Sequence, residues 1–234
     1  MNKIILGILL FSFSIFSQAT EKAKVSFLIG KVSVKTTEAN SNWKLAKVGD
    51  MLNEGDTIMT GNGSLTNISY KGSDFKLQPN TTLVLKSLFS KDKEGSLEVK
   101  NGMAWFKLVD LKGQKVNAVT PTSVAGVRGT AFATSYDEKT KMAMNCICEG
   151  KVEIGSTEAG AKSKLVEKGS GGAVKEGGKE VILSDYKKDI VKATAKPSFE
   201  QKVKDAPILK NCLTCHKPTG WTIEGVTTDE KYTK

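Results

Sequence analysis

Between residues 24 and 183 the chain never sustains a helical period. Instead it repeats short runs of alternating apolar and polar residues, broken by Gly, Asn and Asp. "KVSFLIGKVSVKT" places Val25, Phe27 and Ile29 on one side of an extended chain, with Val32 and Val34 continuing after Gly30. "SLTNISY", "DFKLQP", "TTLVLKSLF", "SLEVKNGMAWFKLV" and "QKVNAVTP" follow the same rule. Period-2 runs with turn signals every 8–12 residues or so predict an all-β domain of short antiparallel strands and hairpins, roll- or sandwich-like. "TGNGS" and "VKNGM" each contain Asn-Gly, a strong short-range hairpin signal.

The domain is bracketed by two segments of different character. Residues 1–19 carry Lys3, an apolar run over 4–16 and then "SQA", the layout of a secretory signal peptide cleaved after Ala19. That run is too short to span a bilayer, and no other approaches the length needed, so the expected chain does not cross a membrane. The expected location is periplasmic or secreted, where disulfides persist. Beyond residue 183, Ser184 and Asp185 read as a helix N-cap before two short helical stretches interrupted at Pro197. The expected organisation is a signal peptide over 1–19, a β domain over 24–183 and a partly helical, cysteine-bearing tail over 184–234. A tail of that size needs a staple to fold.

The formal charge is +10, one less once Lys3 leaves with the leader. A basic exported protein is expected to meet anionic neighbours: an envelope protein, cell-wall polymer or another anionic surface component. Nucleic acid is excluded as a partner, because the lysines are not grouped with stacking aromatics. The sequence does not specify an oligomeric state.

Several motifs in order resemble the FecR domain family. They begin with Trp43, Leu45, Gly49, Leu52, Gly55, Asp56, Ile58, Thr60, Gly61 and Ser64 in "WKLAKVGDMLNEGDTIMTGNGS". "GSDFKLQPNTTLVL" and "GSLEVKNGMAWFKL" follow, then Thr120-Pro121, Ala125-Gly-Val-Arg-Gly-Thr130 and Phe132, and finally "CEGKVEIG". The resemblance spans roughly residues 27–155 and continues more weakly to 183. It implies an extracytoplasmic β-rich domain used for sensing or interaction, not an enzyme. The best-known members are membrane-spanning anti-sigma regulators. This chain shows neither their N-terminal cytoplasmic helical region nor their spanning helix. The resemblance therefore implies a free-standing exported member that does not itself hold a sigma factor.

Within that motif, Gly126 and Gly129 permit a tight backbone path around Arg128. The arginine is expected to anchor loop carbonyls or a nearby Asp, the alternative being capture of a carboxylate or phosphate. Trp43 and Trp105 are expected in the core. Glu54/Asp56 and Asp137/Glu138 are expected to be solvated turn residues.

The sulfur atoms carry the rest of the chemistry. Cys212-Leu-Thr-Cys215-His216 matches C-x-x-C-H, the attachment pattern of c-type haem, and His216 is the chain's single histidine. In that reading Cys212 and Cys215 form thioethers and His216 is the proximal ligand. Alternation on a strand puts Met142, Met144, Cys146 and Cys148 on one face, and the two methionines are candidate second axial ligands. Two alternatives stand beside haem. Cys146, Cys148, Cys212 and Cys215, with His216 able to replace one, make a thiolate site for zinc or copper. The same four cysteines can instead pair as two strand-to-tail disulfides with no cofactor. Residues two apart on a strand are too far separated for an unstrained bridge, so Cys146 and Cys148 are not expected to bond each other.

Overall fold

The computed structural model describes residues 21–38 and 41–185. Every regular element among them is a strand, so the all-β class holds. The first eight are β1 (Ala23–Ile29), β2 (Val32–Lys35), β3 (Lys44–Leu45), β4 (Met51–Leu52), β5 (Thr57–Thr60), β6 (Leu65–Tyr70), β7 (Ser73–Leu77) and β8 (Thr82–Ser87). A long strand follows, β9 (Gly95–Lys107), then β10 (Val116–Val119), β11 (Ser123–Val127), β12 (Ala131–Asp137) and β13 (Met142–Glu149). The series closes with β14 (Lys151–Ser156), β15 (Lys164–Glu167), β16 (Ser170–Lys175) and β17 (Ile182–Asp185). The signal-peptide segment 1–19 and the residues beyond 185, with Cys212, Cys215 and His216, lie outside the described residues.

Hydrogen bonding sorts the strands into two sheets. Sheet A runs β4–β1–β6–β7–β9–β12–β13–β16–β17. Sheet B runs β3–β2–β5–β8–β9–β10–β11–β14–β15. Every pairing is antiparallel except β9 with β10. β9 belongs to both sheets: its first half pairs with β8 and β10, its second half with β7 and β12.

The strand passes from one sheet to the other at Asn101-Gly102, so this Asn-Gly bends a strand and closes no hairpin. Gly102 has φ +83°, a value that disfavours a side chain. Thr81 fixes the bend, its hydroxyl accepting from Met103 N at 2.9 Å and donating to Met103 O at 3.0 Å. Thr60 in turn accepts from Thr81 N at 2.9 Å. The other Asn-Gly, at residues 62–63, lies in the turn that carries the chain from β5 in sheet B to β6 in sheet A. The tight hairpin nearby is β6–β7, whose central residues Lys71 and Gly72 both have positive φ, as a type I′ turn requires.

The core fills the space between the sheets. Phe106 meets Phe75 edge-to-face and lies tilted against Phe132, at centroid distances of 5.7 and 5.3 Å, and Ile58, Ile68, Leu77, Leu83, Leu97 and Ile147 belong to the same core. Each such side chain contributes about 1.5–3 kcal/mol by leaving water. A polar chain crosses the same interior. Thr134 Oγ1 meets Asn145 Oδ1 at 2.8 Å, and Asn145 Nδ2 donates to Ser123 Oγ at 3.3 Å. Ser123 Oγ lies 3.0 Å from Thr120 Oγ1, while Thr122 Oγ1 donates to Val174 O at 3.0 Å. The Thr-Pro-Thr-Ser segment thereby ties the start of β11 in sheet B to β12, β13 and β16 in sheet A.

Three local expectations change. A β-bulge between Val25 and Phe27 inverts the alternation, so Val25 is buried whereas Phe27 and Ile29 are exposed. Trp43 is exposed, because it precedes the two-residue edge strand β3. Ser184 and Asp185 pair with Gly171 and Ser170 as the end of β17, so they cap no helix.

Candidate functional site

Along β13 the inward positions include Ile147 of the core cluster and Asn145 of the polar chain, which sends the alternate residues Met142, Met144 and Cys146 to the outer face of sheet A. Cross-strand register supplies their neighbours. Cys146 sits between Ala133 of β12 and Gly171 of β16, and Ala133 lies beside Trp105 of β9. Trp105 is flanked by Lys76 of β7, whose Nζ lies 4.8 Å from the indole centroid. In the adjacent row Met144 sits between Ser135 and Ala173, and Ser135 lies beside Met103. The face is thus a floor of small residues, with Trp105 and Met103 on one side and Met144 and Cys146 on the other.

The stripe departs from simple alternation at its end. Ala131 pairs with Glu149 and Phe132 with Ile147, which makes Cys148 the extra residue of a bulge. Cys146 and Cys148 are 4% and 3% exposed, and Met144 and Trp105 are likewise buried. Met142 lies at the hairpin end, half-buried between Asp137 and Lys175. Among the described residues no three His, Cys, Asp or Glu side chains converge as a metal-ligand set, so Cys146 and Cys148 provide at most two donors of a thiolate site.

Trp105 meets its expectation of burial, although on the outward face and not between the sheets. Arg128 does not meet its own: it is exposed at the end of β11 and makes no hydrogen bond to a loop carbonyl or Asp among the described residues. The glycines beside it serve separate purposes. Gly129 has φ +85°, and a β-carbon at Gly126 would fall 2.2 Å from Lys115 Cε. Lys115 crosses sheet B over that glycine and reaches Glu153 at 3.5 Å. A hydrogen bond from Ser163, then the charges of Lys115 and Arg128, hold the Glu153 carboxyl below its ordinary pKa.

A cleft of about 710 Å³ opens beside the β6–β7 turn and the β8–β9 loop, lined by Glu21, Glu54, Tyr70, Lys71, Leu88 and Lys93 among others. Its polar groups largely satisfy one another. Glu54 accepts from Leu88 N at 3.0 Å and from Lys93 Nζ at 2.7 Å on both oxygens. Burial pushes the Glu54 pKa up, but the bonds from Lys93 and Leu88 and the Lys93 charge outweigh it and leave the value lowered. Tyr70 donates to Phe89 O at 2.8 Å, and burial followed by the Glu54 charge raises its pKa. Glu54 therefore latches the β8–β9 loop. Asp56 departs from the solvated-turn expectation, since its buried carboxylate accepts from Asn53 N at 2.8 Å and Thr37 N at 3.3 Å.

Fold and surface together define an all-β scaffold of two sheets sharing one strand, with a sulfur- and indole-bearing outer face. The FecR protein family matches residues 56–153, from the Asp56 turn through β14, which is under half of the chain. The motif segment from Trp43 to Gly55 precedes that match. No curated protein matches the chain. Among solved structures, the chain is similar to two crystal structures of a candidate anti-sigma factor from Parabacteroides distasonis, at 1.65 and 2.50 Å resolution. Each is 14% identical over 74% of this chain and 82% of the other, with a TM-score of 0.49.

Proposed function

We propose that this chain is an exported, periplasmic FecR-type module for sensing or interaction, in which sheet A receives the cysteine-bearing C-terminal segment. The observation that carries the reading is the continuation of one cross-strand row from Cys146 through Gly171 to Ser184. β17 therefore hands the chain onward two strand spacings, about 10 Å, from the Cys146 thiol row. The 26 residues between Asp185 and Cys212 are more than enough to return to that face.

In the haem reading, Cys212 and Cys215 carry the thioethers and His216 is the proximal ligand. Of the two methionines, Met144 would be the better placed to hold the group, because it is buried on the indole- and methyl-lined face whereas Met142 lies at the hairpin end. Bound there, haem supplies one-electron exchange. The chain's own residues would contribute the water-excluding side chains of Trp105 and Met103 and the Met144 thioether. The burial of Cys146 and Cys148 beside each other supports the second reading, in which four thiols meet as disulfides or as a zinc or copper site.

Intact mass and a pyridine haemochrome spectrum of the exported chain, made with cytochrome maturation active, separate these readings. A mass gain of one haem with a c-type spectrum establishes the first. Loss of four hydrogens, or thiols that retain metal, establishes the second. Four thiols freely alkylated in the native protein, without haem or metal, would overturn the role of this face.

A further inference from the structure

The connection between the sheets at the β3–β4 edge carries four large exposed apolar side chains close together in sequence. Trp43, Leu45, Val48 and Met51 fall within nine residues and are 44%, 66%, 60% and 51% exposed. Lys44 and Lys47 are interleaved with them, Lys24 and Lys35 stand on the adjoining β1 and β2, and Lys22 and Lys31 immediately precede those strands. All six lysines are exposed, and none forms an ion pair among the described residues.

The backbone of this edge is already engaged with both sheets. Ala46 N donates to Val32 O in sheet B, and Gly49 N donates to Val25 O in sheet A, at 2.9 and 2.8 Å. Lys47 N donates to Asp50 Oδ2 at 2.8 Å, and Asp50 N to Lys47 O at 3.1 Å. Strands of only two residues each, such as β3 and β4, offer little for strand addition by a peptide or second copy.

We infer that residues 43–51 form a peripheral docking ridge for an anionic lipid surface. Insertion of Trp43, Leu45, Val48 and Met51 at headgroup depth removes apolar area from water, while the six lysines neutralise lipid charge. A soluble polyanion would engage the lysines but give the four apolar side chains no apolar phase. The ridge is separate from the thiol face and draws on the preceding reading only for export to the envelope. Its failure would leave the mass and haemochrome result standing, and the converse also holds.

The test is co-sedimentation of the exported chain with vesicles of phosphatidylcholine alone or mixed with phosphatidylglycerol. Partition is expected only with the anionic vesicles and should weaken with added salt. The pair Leu45→Ser and Val48→Ser should lower it about tenfold through lost apolar insertion. The pair Lys44→Glu and Lys47→Glu should lower it at least about tenfold, since each lysine near such a surface is worth about fivefold. These side chains are exposed, so circular dichroism of both variants should match the parent. Absence of partition, or partition unchanged in both variants, overturns the inference. Loss through the lysine pair alone assigns the ridge to a soluble polyanion, and loss of self-association in the serine pair assigns it to a second copy; either outcome also overturns it.

Discussion

The hydroxyl of Thr81 occupies the space that a β-carbon on Gly102 would need, 2.5 Å away, with Asn80 O at 2.6 Å on the same path. Two penalties therefore combine at Gly102→Ala: a left-handed backbone carrying a side chain, and contact with backbone that cannot swing away. The expected loss is about 3 kcal/mol or more in urea unfolding. Gly129→Ala, at a similar φ but with open space around it, should cost clearly less.

Asn145 is the centre of the polar chain between the sheets. Asn145→Ala should destabilise by about 2–3 kcal/mol, because it leaves the Thr134 hydroxyl without its partner, removes one of the two partners of the Ser123 hydroxyl and opens a small cavity. Combined with Ser123→Ala the loss should fall short of the sum, since the two residues share one network. A double-mutant cycle on thermal or urea unfolding reads this directly.

Glu54 gives a pH dependence whose sign follows from its lowered pKa. A carboxylate stabilised in the folded chain adds stability above its unfolded pKa and loses that contribution as pH falls through the folded value. Glu54→Gln should therefore be slightly less stable than the parent at neutral pH and equal to it in acid. The pair is substantially exposed, so the neutral-pH difference should be about 0.3–0.5 kcal/mol.

Cys146 and Cys148 should be shielded from small reagents. In reduced protein, iodoacetamide should label them far more slowly in native buffer than in urea, as expected of buried thiols. Peptide mapping of the labelled sites checks this. Rapid native labelling of Cys146 would mean that the outer face of sheet A is open to solvent.

The alternation that announced an all-β chain was readable because sheet burial has period 2, and Met142, Met144 and Cys146 obey it. Their companions were not readable. Trp105, Ser135 and Ala173 join them through register, which depends on pairings between strands distant in sequence. A bulge defeated the pattern at Phe27, where burial inverts, and a second bulge leaves Cys148 the extra residue of β13, a register detail that alternation does not encode. Asn-Gly at residues 101–102 misled because positive φ serves a strand bend as well as a hairpin. Arg128 misled because a motif position says nothing about whether a side chain points into the protein or away from it.

The shared strand β9 locks the two sheets to each other. Sliding β9 along its own axis would break register in both sheets at once, because its first half pairs with β8 and β10 and its second half with β7 and β12. A change at the indole face would then reach the lysine-rich edge poorly through the body of the domain. A signal would instead be carried by exchange of occupants, one segment or surface displacing another from a face that keeps its shape.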